Sequence, residues 1–126
     1  MARVFVVDDD QVVRRLAHVI LRRGGHQVVT LDNGQAALDA LEQSTPDLVI
    51  TDLMMPLMDG IELVRRIRAD ARWASLPVVV LTARGTSDDL RKVTEAKADR
   101  FLTKPFSSAQ LLDLVADLTS THSRRR

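Results

Sequence analysis

Short apolar runs alternate along this chain with amphipathic stretches of about ten residues or more, and four of the runs stop at residues that carry chemistry. Val4-Phe5-Val6-Val7 leads into Asp8-Asp9, and Leu48-Val49-Ile50-Thr51 into Asp52. Val78-Val79-Val80-Leu81 leads into Thr82, and Phe101-Leu102-Thr103 into Lys104-Pro105. Runs that are apolar throughout, rather than at every second position, suit strands covered on both faces. Strands of that kind separated by amphipathic helices form a parallel α/β sheet. In such a sheet all four ends open on one edge. Three carboxylates, a hydroxyl and an ammonium then share one cleft. Like charges gathered this closely raise one another's pKa, so the cleft calls for a positive group among the acids.

The pattern predicts strands near 3–7, 27–31, 47–51, 77–82 and 99–103, and helices near 10–23, 34–43, 59–69, 87–96 and 108–119. Helix starts are marked by Asp10, by Asn33, and by capping-box spacing in Asp59-Gly-Ile-Glu62, Thr86-Ser-Asp-Asp89 and Ser107-Ser-Ala-Gln110. Gly24-Gly25 ends the first helix. Pro46 and Pro77 stop helices just before strands. The fourth helix offers only Leu90, Val93 and Ala96 as an apolar stripe, which fits either a surface helix or a weakly docked element. His18 reads as an ordinary surface or groove residue, Met55 and Met58 as loop and core filler, and Trp73 as a loop residue with no evident role.

The chain has 126 residues, the usual size of one domain, and no cysteine, so neither a disulfide framework nor a thiolate metal site is available. No apolar run reaches the ~18 residues of a membrane span, and no signal-peptide core precedes the first strand. The expected location is the cytoplasm, with no membrane contact. Net charge is +1, and three of the positives are Arg124, Arg125 and Arg126, so residues 1–123 carry −2. A mildly acidic body argues against direct nucleic-acid binding. Residues 1–119 are read as the domain and 120–126 as a flexible basic tail or the start of a linker.

Asp8, Asp9 and Asp52 are hard oxygen ligands with no histidine at the same strand ends. That disfavours zinc or copper and suits Mg²⁺, which takes few carboxylates together with water and phosphate oxygens. With Lys104 as a point charge and Thr82 as a donor, the set describes a cradle for a phosphoryl group, whose transfer depends on positioning and charge neutralisation. Asp52 stands alone at the centre and is the candidate nucleophile.

The ordered set Asp8-Asp9, Asp52-Leu-Met-Met-Pro-Leu-Met-Asp-Gly60, Thr82-Ala83 and Lys104-Pro105-Phe106 resembles the receiver domain of bacterial two-component response regulators, over residues 3 to about 119. The resemblance implies a (βα)₅ doubly wound, flavodoxin-like sheet of order 2-1-3-4-5. It implies that Asp52 accepts a phosphoryl group from a histidine of a kinase or phosphotransfer protein. Asp9, Asp52 and the Met54 carbonyl then ligate Mg²⁺ (or Mn²⁺ in its place), with Asp8 assisting through water. Thr82, the Ala83 amide and Lys104 bind phosphoryl oxygens, and Lys104–Pro105 is cis. Thr82 and Phe101 form the switch. The donor docks on helix 1 and the cleft loops; an effector protein or domain meets the surface of helix 4, strand 5 and helix 5. The only catalysis implied is the domain's own phosphorylation and slow autodephosphorylation.

Three departures from the family pattern bear on these expectations. Phe101 stands where tyrosine is frequent and, having no hydroxyl to satisfy, is expected to be largely buried even before phosphorylation. Ala96-Lys97-Ala98-Asp99 lacks the glycine that commonly ends helix 4, so that corner is expected to be built differently. Helix 5 carries Asp113 and Asp117 and no basic residue, which argues against the dimer that DNA-binding receivers form there. Two other classes stay open: a receiver fold that has lost its chemistry, and a phosphatase of small esters, although Met54 stands where a second, general-acid Asp would be needed. A stand-alone regulator and the first domain of a larger one are equally compatible with the sequence.

Overall fold

The computed structural model describes residues 1–124, with side chains through Thr119. Five parallel strands are ordered β2-β1-β3-β4-β5. They are β1 (Arg3–Val7), β2 (Gln27–Leu31), β3 (Leu48–Asp52), β4 (Val78–Thr82) and β5 (Arg100–Thr103). The helices are α1 (Gln11–Arg23), α2 (Gly34–Gln43), α3 (Gly60–Ala69), α4 (Ser87–Glu95) and α5 (Ser108–Arg124), with a 3-10 turn at Ala71–Trp73. Every β1, β3 and β4 residue from Val4 onward along these strands is buried. That is the consequence of helices on both sheet faces.

Alternate residues of each strand feed two cores. Phe5, Val7, Val49, Val78 and Val80 pack with α2, α3 and the buried face of α4. Val4, Val6, Leu48, Ile50, Val79 and Leu81 pack with α1 and α5. The register is continuous across the centre, with Val7 beside Thr51 and Thr51 beside Val80. This brings the ends of β1, β3 and β4 level with one another.

The helix caps follow the sequence signals. Asp10, Asn33, Asp59 and Thr86 each accept a backbone N–H from the first turn of their helix. Ser107 and Gln110 exchange both bonds of a capping box, at 3.0 and 2.8 Å. The corner after α4 keeps a left-handed residue without glycine: Lys97 takes φ 69° and its N–H bonds the Thr94 carbonyl at 3.0 Å. The expected rebuilding is absent, and lysine bears the ~1 kcal/mol that glycine avoids. Arg68 closes the same corner, donating to the carbonyls of Lys97 (2.9 Å) and Leu76 (2.7 Å) and to the Asp99 carboxylate (2.9 Å). Trp73 is buried, with Arg72 stacked 4.4 Å from its ring.

The last helix runs past the expected end at 119 as far as Arg124, so the tail expected over 120–126 starts as helix. Its final two residues lie outside the described residues. Among the described residues no helix is long and apolar enough to cross a membrane.

Candidate functional site

The strand ends converge as the parallel reading requires. Asp8 follows β1 directly and keeps its register, its N–H bonding the Leu31 carbonyl at 3.0 Å. Its carboxylate is fully buried: Oδ1 accepts from the Asp10 N–H at 2.9 Å and Oδ2 from Lys104 Nζ at 3.0 Å. Asp52, the last residue of β3, is 7% exposed, and its Oδ1 lies 2.9 Å from the same Lys104 Nζ. Asp9 is exposed beside them. Asp8, Asp9 and Asp52 each offer a carboxylate oxygen within 4.8 Å of the others. Thr82 ends β4, buried at 1% exposure, and its Oγ1 accepts from the Arg84 N–H at 3.2 Å. Lys104 follows β5, holding register through a 2.8 Å bond to the Thr82 carbonyl, and the Lys104–Pro105 peptide is cis.

One ammonium thus bridges two carboxylates from strands on either side of the switch in sheet order. Burial raises the Asp52 pKa above its ordinary value, and Asp8 and Asp9 push the same way, against the hydrogen bond and charge of Lys104. For Lys104, burial pulls downward, but the bonds to Asp52 and Asp8 and their charges outweigh it and the net shift is up. The cleft therefore carries excess negative charge that one lysine does not fully neutralise. The donor set is all oxygen, clustered and open on the Asp9 side, which fits a hard divalent cation.

Two surface hollows lie away from the cleft: about 450 Å³ beside α1, lined by Arg14, Arg15 and His18, and about 660 Å³ between β5 and α5. Neither includes an acid of the cleft.

The response regulator receiver domain model matches residues 4–116. The chain belongs to that family. Response regulator Rre1 of Synechocystis sp. is 40% identical over 116 residues, which are 91% of this chain and 50% of that protein. The phosphate regulon transcriptional regulatory protein PhoB of Pseudomonas aeruginosa is 35% identical over 109 residues, 86% of this chain and 48% of that protein. The structure of chemotaxis protein CheY4 of Vibrio cholerae superposes with a TM-score of 0.89 at 29% identity, covering 94% of this chain and 98% of that one. The chain spans about half the length of the curated relatives it matches. It is a receiver domain of two-component signalling, the family whose acidic pocket binds Mg²⁺ and whose members work with histidine kinases and effector domains.

The receiver brings Asp8, Asp9, Asp52, Thr82 and Lys104 together, with Met54 and Ala83 in the loops that follow β3 and β4. Phe101 does not conform to expectation: it is 42% exposed rather than largely buried. The missing hydroxyl does not decide its rotamer; available cover does. Leu102 points into the α1–α5 core, so Phe101 faces the other side of an edge strand, toward α4. There α4 contributes only Val93 to the core, with Ala96 at its C-cap, the fewest core residues of any helix among the described residues.

Two further residues belong to the site and carried no role in the sequence reading. Arg14 donates to the Asp8 carbonyl at 2.6 Å, fixing the first acidic loop from α1. Gly60 leaves room for the backbone of Asp52 itself: an added Cβ would stand 2.2 Å from the Asp52 carbonyl oxygen. Glycine within the Asp59-Gly60 cap was the available signal; the contact depends on how the loop folds back.

Proposed function

We propose that this receiver takes a phosphoryl group onto Asp52 from a phosphohistidine of a kinase or phosphotransfer protein. The observation that carries the proposal is the Lys104 ammonium set between Asp8 and Asp52, at 3.0 and 2.9 Å, within a cluster of three carboxylates. Asp9, Asp52 and the Met54 carbonyl would hold Mg²⁺, or Mn²⁺ in its place, with Asp8 assisting. When bound, the ion neutralises charge on the transferring group and the attacking carboxylate. An Asp52 carboxylate oxygen attacks phosphorus, and the P–N bond breaks with its electron pair going to the donor imidazole. The Thr82 hydroxyl and Ala83 N–H donate to phosphoryl oxygens. Lys104 shifts its bond from Asp52 to a phosphoryl oxygen, so one positive charge stays in the cleft throughout.

The donor docks along α1 and the cleft loops. Val12, Leu16 and Val19 are 74%, 46% and 43% exposed, an apolar edge that the core does not use. The α1 segment also carries Arg14, Arg15, Arg22 and Arg23 with no acid, which favours a donor surface bearing carboxylates. The effector meets α4, β5 and α5. There Arg100 pairs with Asp117 within the chain, so that acid is already engaged. Action is in the cytoplasm, without direct nucleic-acid or membrane contact.

Intact-mass spectrometry after acetyl phosphate and Mg²⁺ tests the assignment. One phosphoryl group adds to the wild type and none to Asp52→Asn. Labelling of the variant at the wild-type rate overturns it, as does turnover of phosphate esters without an adduct.

A further inference from the structure

A carboxylate oxygen is buried without a partner in the first turn of α4. The motif Thr86-Ser-Asp-Asp89 has the spacing of a capping box, which calls for two reciprocal bonds. One forms: Thr86 Oγ1 accepts from the Asp89 N–H at 3.1 Å. Among the described hydrogen bonds none returns from the Asp89 carboxylate, in contrast to the complete pair at Ser107 and Gln110. Asp89 instead lies 6% exposed, and its Oδ2 is shut off from solvent with no donor. The nearby cation is Arg84, whose guanidinium stands 3.8 Å from Oδ2 on a side chain that is 68% exposed. That distance allows Coulomb attraction but is too long for a hydrogen bond.

A buried, unpaired carboxylate oxygen is costly, and removing that cost needs a donor at hydrogen-bond distance. The field of the α4 N-terminus eases the charge, yet it acts equally in every state of the loop. Arg84 is different because its position is coupled to the cleft. Its backbone N–H is bonded to Thr82 Oγ1, the hydroxyl assigned above to a phosphoryl oxygen. Displacing Thr82 toward Asp52 pulls on the residue that carries the guanidinium. Closing 3.8 Å to the ~2.8 Å of a charge-assisted bond takes only about 1 Å.

We propose that Arg84 and Asp89 form an ion pair that stands open in the unphosphorylated chain and closes on phosphorylation, fastening the β4–α4 loop to the first turn of α4. The inference rests on Asp52 being the phosphoacceptor. Closure supplies what a switch requires, an interaction present in one state and absent in the other. It acts on the helix that sends the fewest residues into the core among those described, its buried face being Asp89 and Val93 with Ala96 at the C-cap. The phosphoryl signal then reaches α4 through the loop itself, without passing through Phe101.

Hydrogen exchange of the full chain, with and without acetyl phosphate and Mg²⁺, tests this, the adduct being measured by intact mass in each sample. In the wild type, phosphorylation slows the amides of residues 87–93 by roughly tenfold, within the range of coupled sites. Arg84→Gln, which alters an exposed side chain and leaves the fold intact, takes the adduct but shows less than about twofold slowing on the same scale. Asp89→Asn behaves alike, and the double variant is no worse than either single one. A merely structural role changes exchange equally in both states and leaves the phosphorylation-dependent part untouched. Adduct-bearing variants that keep the wild-type slowing, or single effects that add, overturn the ion-pair proposal alone. A wild type that takes no adduct refutes the Asp52 assignment and this proposal with it.

Discussion

Gly60→Ala places a methyl group against the backbone of Asp52, the proposed phosphoacceptor. The new Cβ would lie 2.2 Å from the Asp52 carbonyl oxygen, 3.0 Å from Leu53 Cα and 3.1 Å from the Asp52 carbonyl carbon. All three are main-chain atoms, so no rotamer change relieves them. Reaching the ~3.3 Å of an ordinary C–H···O contact requires about 1 Å of separation between α3 and the end of β3. The bond from the Gly60 N–H to the Leu53 carbonyl, at 2.8 Å, is strained by the same movement. Overpacking of this kind costs about 1–3 kcal/mol, and a domain of this size loses about 4 °C or more of Tm per kcal/mol. A full 1 Å misplacement of a reacting group costs about a hundredfold in rate. Because β3 is laddered to β1 and β4 on both sides, part of the shift falls on α3, and labelling by acetyl phosphate is expected to slow by at least about tenfold. Intact-mass time courses read the rate and thermal melts read the stability. A variant that melts lower but labels at the wild-type rate refutes the coupling of Gly60 to Asp52. An unchanged melt refutes the contact altogether.

Lys104→Met removes the bond and charge that oppose the upward pKa shift of Asp52. With the ionised Asp52 carboxylate as the proposed nucleophile, the acid limb of the labelling rate is expected above 3.8 in the wild type and at higher pH in the variant; an unmoved limb would show that Lys104 is not the counter-charge. The raised Lys104 pKa stabilises the fold below 10.5 and is lost as pH rises through the folded value, so alkaline melting is blunted in Lys104→Met. Asp9→Ala weakens Mg²⁺ binding in calorimetric titration, and a wild-type site that prefers Zn²⁺ over Mg²⁺ would contradict the oxygen-ligand reading. Val12→Glu, at a position 74% exposed, leaves the melt and acetyl-phosphate labelling unchanged and loses transfer from a phosphohistidine donor; unimpaired transfer sinks docking on α1.

The strands and the acid cluster were readable because both follow from chain-local facts. A uniformly apolar run announces a strand covered on two faces, and parallel topology then forces Asp8, Asp52, Thr82 and Lys104 to one edge whatever the packing details. The departures lie where several weak terms compete. The missing hydroxyl of Phe101 predicts burial, but its exposure depends on how little of β5 the narrow face of α4 covers. The missing glycine predicts a rebuilt α4–β5 corner, but the Arg68 bonds to Lys97, Leu76 and Asp99 hold the turn closed while lysine takes the left-handed conformation. Asp89 read as half of a capping box, and only three-dimensional packing turns its carboxylate inward to an unpaired site.

These three departures share one region, from the end of β4 to β5. Residues there are held by an exposed aromatic, a left-handed lysine and an open ion pair, rather than by a dense apolar face. Each leaves free energy to be gained by rearrangement, and a segment built so responds to a perturbation of ~1–3 kcal/mol. The strand ends that hold the cleft have no such slack: Val7, Thr51 and Leu81 are fully buried within paired ladders. A phosphoryl group on Asp52, as proposed, is therefore expected to leave the sheet in place. The loop bonded to Thr82, and α4 behind it, are the segments expected to move, because α4 sends the fewest side chains into the core.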